Sequence, residues 1–188
     1  MTPKARTGRL PRSIAAALLW SAAPAAAWAG EAWIGVFAHD APVGVAVCCF
    51  ERGADVQLGL RTGPLVAVPR FGELRAYALG SANTLGGVPF AAVGAAWRWP
   101  IGNTGLYLQP GLGGAVQFGS DAKSQLRPDQ LYLGSRLLFE PELSLGWRAG
   151  QRWALEASYV HLSHAQLAGR QNPGLDDVGL RAVYAFGP

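Results

Sequence analysis

Apolar and polar residues alternate with a period of two along most of the chain from Trp33 onward. Because successive side chains of a strand point to opposite faces, this pattern predicts strands that are apolar on one side only. Residues 33–39, 54–61, 74–81, 90–99, 106–118, 132–147, 152–163 and 176–186 carry it, with 74–81 the weakest. The second segment sets Val56, Leu58 and Leu60 against Asp55, Gln57, Gly59 and Arg61, and the sixth sets Leu137, Phe139, Leu143 and Leu145 against Arg136, Glu140, Glu142 and Ser144. Short turns such as 148–151 and 101–103 alternate with longer polar segments at 119–130 and 165–175. Eight such strands predict an all-β fold: an eight-stranded antiparallel transmembrane β-barrel whose interior is filled by side chains, which disfavours a pore.

The predicted inward set, Asp55, Arg61, Arg98, Arg136, Glu140, Glu142, Arg152, Glu156 and Arg181, carries both signs. Buried charges must be paired, so Glu140 and Glu142 read as lumen carboxylates neutralised by arginine rather than as a catalytic acid pair. Trp97, Trp99, Trp147, Trp153, Tyr184 and Phe186 fall near strand ends, where a barrel carries its interfacial aromatics.

Composition sharpens the class. The formal charge of +4 suggests an anionic partner, yet Lys4, Arg6, Arg9 and Arg12 precede every acidic residue. An apolar stretch over 14–20 and Ala25-Ala26-Ala27-Trp28-Ala29 follow, which reads as a secretory signal peptide over 1–29, with the barrel in 30–188. Beyond it, twelve basic residues face twelve acidic ones, so nothing points to nucleic acid. Charged residues make up 15% of the chain, low for a soluble domain. Export, low charge and short strands together predict the cell outer membrane.

Cys48 and Cys49 are adjacent, and neighbours in a strand point apart, so no disulfide is expected between them. His39, His161 and His164 lack cysteine partners, and neither a metal site nor a cofactor is expected. No G-x-S-x-G elbow or P-loop is present.

The candidate chemistry lies at the end of the chain. His161 and Ser163 share the parity of the apolar face of 152–163, and Asp176 shares that of 176–186. In an antiparallel pair this puts a base, a hydroxyl and a carboxylate together at the outer rim, on the lipid side. Such a trio suits acyl transfer. The same residues also fit a merely polar rim.

The stretch His161-Leu162-Ser163-His164-Ala165-Gln166-Leu167, followed by Gln171-Asn172-Pro173-Gly174-Leu175-Asp176, resembles the end of the lipid A 3-O-deacylases, PagL-type outer-membrane barrels in which His-x-Ser-Asn-Ala precedes Asn-x-Gly-x-Glu. The resemblance covers roughly 140–186. It implies a metal-independent serine esterase acting on lipid A of lipopolysaccharide among outer-membrane lipids, with His161 as base, Ser163 as nucleophile and Asp176 in the place of the orienting glutamate. His164 stands where the family has an asparagine, and is the oxyanion candidate. Asp176 is one methylene short, for which Asp177 could compensate only if the strand slipped. A non-enzymatic structural or surface-binding barrel, and an acyltransferase or phospholipase using the same trio, are the competing readings. Acyl-chain preference and a homodimer stay open.

Overall fold

The computed structural model describes residues 29–119 and 129–187. The segment expected to be a signal peptide, but for Ala29, and most of the 119–130 connection lie outside them. Nine strands form: β1 Gly30–Ala38, β2 Ala54–Thr62, β3 Val66–Val68, β4 Gly72–Asn83, β5 Phe90–Pro100, β6 Leu106–Gln117, β7 Leu137–Arg148, β8 Trp153–Leu162 and β9 Leu175–Phe186. Every pairing is antiparallel between sequence neighbours, apart from β1 with β9 and β2 with β4. Those two pairings close the eight long strands into a barrel, which removes the free edges that a membrane would not tolerate. The short β3 pairs with the start of β4 beyond the closed wall, and its three exposed residues are too few to show a period.

The alternation predicts the two faces well. Ile34, Leu58, Leu112, Leu143, Leu155 and Leu180 are exposed on the outside, as a lipid-facing band requires. Inside, Arg98 meets Glu31 at 2.5 and 2.7 Å, Arg61 bridges Glu31 (2.8 Å) and Glu156 (3.0 Å), and Arg181 meets Glu142 at 2.8 Å. Tyr77 bonds Glu140 and Tyr107 bonds Glu156, so the lumen is a filled polar core. The Glu140 and Glu142 pair is thus walled inside the barrel, with Glu142 paired to an arginine.

Two members of the predicted inward set are not inside. Arg136 and Arg152 are exposed, because the strands begin only at Leu137 and Trp153 and parity has no meaning before them. Strand β7 starts five residues later than the alternation suggests. Gly134 adopts φ 77°, outside the extended region, and Ser135 Oγ closes a turn onto Leu137, while Leu131 and Leu133 pack into the core from a loop.

Because Arg181 is fully buried and holds Glu142, Gln57 and Ser144, replacing it leaves a carboxylate uncompensated. Arg181→Met is expected to destabilise the barrel by about 3–5 kcal/mol. Urea titration followed by the heat-modifiable gel shift checks this, with Arg181→Met/Glu142→Gln recovering part of the loss.

Candidate active site

Strands β8 and β9 pair with His161 directly opposite Asp176. Both point to the outer side of the wall, as their parity predicts. His161 Nδ1 lies 2.5 Å from Asp176 Oδ1, so the carboxylate accepts the Nδ1 proton and the lone pair is left on Nε2. That is the tautomer a general base needs.

Ser163 lies one step beyond the end of β8 and keeps its register. It forms a bridge with Phe139 of β7, with Phe139 N donating to Ser163 O at 2.7 Å and Ser163 N to Phe139 O at 3.2 Å. The pairing skips the two steps between, at the first of which the register sets Pro141, with no N–H to give, across from His161. Ser163 is half-buried and two residues from His161 on the same face. Among the described residues no hydrogen bond joins its hydroxyl to the imidazole, as the roughly 7 Å repeat along a strand dictates until a side chain leans over.

Asp176 is outward-facing but not exposed to lipid. It is fully buried, because the β1–β2 connection folds across it. Val45 N and Ala46 N each donate to Asp176 Oδ2 at 2.9 Å, and Tyr159 Oη donates to Oδ1 at 2.8 Å. Ala41 N bonds Asp176 O (2.7 Å) and Val47 N bonds Pro173 O (2.8 Å), so the segment is tied at both ends. The carboxylate therefore receives four donors, which fix its position.

The cover depends on two glycines. Gly44 has φ 82°, and a Cβ there would stand 2.3 Å from Tyr159 Oη and 2.6 Å from Asp176 Oδ2. Gly174 has φ 78°, and a Cβ there would stand 2.9 Å from His161 Cε1. Gly44→Ala is accordingly expected to cut ester turnover by about 10- to 100-fold through displacement of Asp176, a cost of about 1.4–2.7 kcal/mol in the barrier. Turnover of the folded variant, set beside its heat-modifiable mobility, checks this.

The structure does not bring His164 into the group. It lies past the end of β8 and is buried. Ala168 N donates to Nδ1 (3.2 Å) and Nε2 lies 2.7 Å from Gln171 O, so both ring nitrogens serve the 164–172 loop. Asp177 faces the lumen and does not compensate for the shorter Asp176. It does not need to, since the direct pairing of His161 with Asp176 closes the gap.

Cys48 and Cys49 correct the expectation above, because their sulfurs are bonded to each other. The pair lies in a loop rather than a strand, and Cys49 has φ 101°, so the argument that neighbours point apart does not apply. Tyr159, Gly44, Val45 and Ala46 are site residues that the sequence reading missed. Tyr159 shares the parity of His161 and was legible as a neighbour, whereas the Gly44 segment is about 130 residues from its partner and carries no local sign of the contact.

Comparison with known proteins bears on the family and the fold. The family described as Lipid A 3-O-deacylase (PagL) matches residues 51–185. No curated protein sequence matches the chain. Among solved structures, the crystal structure of the outer membrane enzyme PagL superposes with a TM-score of 0.60 at 18% identity, over 81% of this chain and 97% of that one. A de novo designed transmembrane β-barrel (TM-score 0.49, 13% identity, 84% and 95% covered) and the N-terminal β-barrel domain of Pseudomonas aeruginosa OprF (0.47, 14%, 84% and 99%) are also similar. With a family match over most of its length and the barrel of an outer-membrane enzyme, the chain belongs to the PagL family of lipid A 3-O-deacylases.

Proposed function

We propose that the protein is a serine esterase that removes the acyl chain at the 3 position of lipid A, with Ser163 as nucleophile, His161 as general base and Asp176 as the carboxylate that orients the base. The observation that carries this reading is the 2.5 Å contact between His161 Nδ1 and Asp176, on the outer face of the barrel and two residues from a half-buried serine. His161 Nε2 takes the serine proton as Oγ attacks the ester carbonyl, and returns it to the leaving sugar hydroxyl. Water, deprotonated by the same nitrogen, then releases the fatty acid. An outward-facing trio at the rim lets the acyl chain stay among the lipids while its ester meets the serine.

The oxyanion needs donors that are not already spent. The N–H groups of Ala165 and Gln166, at φ 50° and 62°, have no hydrogen-bond partner among the described residues and follow the serine closely. They replace the imidazole of His164 as the oxyanion candidates, and His164 becomes the side chain that holds their loop in shape.

A lipid-like phosphonate ester tests the assignment. Peptide mass spectrometry is expected to find the adduct on Ser163, and none in His161→Gln. An unlabelled folded protein, or an adduct elsewhere, contradicts it. Mixed micelles of lipid A and phospholipid separate this reading from a phospholipase, since only the lipid A ester should be cleaved.

A further inference from the structure

Asp176 and Asp177 are neighbours in β9 and face opposite sides of the wall. On the lumen side, directly behind the trio, Asp177 meets His39 and Asp55. His39 Nδ1 is 3.0 Å from Asp55 Oδ1 and 3.5 Å from Asp177 Oδ1, and one ligand atom from each of the three residues lies within 4.8 Å of the others. All three side chains are buried, with at most 1% exposed.

We propose that His39, Asp55 and Asp177 form a binding site for a divalent transition-metal cation of the zinc type. Bonds of roughly 2.0–2.1 Å in a tetrahedral shell set ligand atoms about 3.3 Å apart, and the two distances from His39 Nδ1, 3.0 and 3.5 Å, lie on either side of that value. One imidazole nitrogen with two carboxylate oxygens favours such an ion over calcium or magnesium, which take oxygen alone.

Three further observations support it. First, Nε2 lies 2.8 Å from Glu51 Oε2, the kind of outer carboxylate that a metal-bound histidine uses, and a proton held there leaves the lone pair on Nδ1, facing the two aspartates. Second, the ligating carboxylate of Asp55 is itself oriented, by Ser81 Oγ at 3.0 Å and Asn83 Nδ2 at 2.8 Å. Third, His39 Nδ1 and Asp177 Oδ2 are buried atoms without a hydrogen-bond partner, and among the described residues no arginine or lysine pairs with Asp55, Asp177 or Glu51. A cation held among these carboxylates would offset their buried negative charge. A cavity of about 690 Å³, lined in part by Phe50, Glu51, Arg52 and Asp129, opens beside Glu51, the partner of His39. The bound ion would tie the end of β1 to β2 and to the start of β9, and so brace the wall on which Asp176 sits.

The test uses the full chain refolded in detergent, stripped with chelator and titrated with zinc sulfate by calorimetry. About one ion per chain is expected, with affinity about 100-fold lower in His39→Gln and Asp177→Asn, about 10- to 100-fold lower in Glu51→Gln, and retained in His161→Gln. Zinc should also raise the temperature at which the gel mobility shifts, in the wild type and in His161→Gln only. Folded wild type that binds no ion, binding indifferent to the three substitutions, or binding lost in His161→Gln would each overturn the proposal. In the first case a proton on His39 serves in place of the metal.

Discussion

Ser163→Ala is expected to lower turnover of the lipid A ester by about 10⁴-fold or more while leaving the heat-modifiable mobility of the barrel unchanged, because a nucleophile has no substitute in a two-step acyl transfer. The structure explains why folding should be spared. The hydrogen bonds of Ser163 are both made by its backbone, to Phe139 of β7, and its side chain lies outside the packed lumen. Alanine keeps the bridge and removes one oxygen. Comparison of kcat for the two purified proteins in lipid A micelles decides the matter, and equal rates would sink the serine mechanism.

Asp176→Asn is the second large effect, expected at about 10²- to 10⁴-fold in kcat. Four donors converge on that carboxylate, from Tyr159, His161, Val45 and Ala46. An amide offers only one oxygen, and its NH₂ would face donors on the other side. Either the imidazole takes the wrong tautomer or the covering segment lifts away. Asp176→Glu should not rescue the site, although the family motif has glutamate there, because the Gly44 segment already fills the space that a further methylene needs. Measurement of kcat and KM for both variants checks the argument, with the loss falling on kcat.

The fold was legible because a barrel writes itself as alternation, and alternation survives in single sequences. It failed only where a strand had not yet begun, at Arg136 and Arg152, and where a segment was too short to alternate, at β3. The meeting of His161 with Asp176 was legible for a narrower reason. His161 and Ser163 share one strand, Asp176 opens the next, and antiparallel pairing brings together what parity had already placed on one face. The cover over Asp176 had no such signal. Val45 and Ala46 reach it through backbone N–H groups, which every residue type but proline supplies, so only the fold could show the contact. His164 occupies a motif position, but its two loop contacts decide where the ring goes.

The central claim is that this barrel cuts one ester of lipid A at its outer rim, and mass spectrometry of lipid A after incubation with the folded wild-type protein tests it most directly. The expected result is the loss of one 3-linked hydroxyacyl chain and the appearance of the matching free fatty acid. Lipid A of unchanged mass, in the presence of protein shown to be folded by its gel mobility, would contradict it.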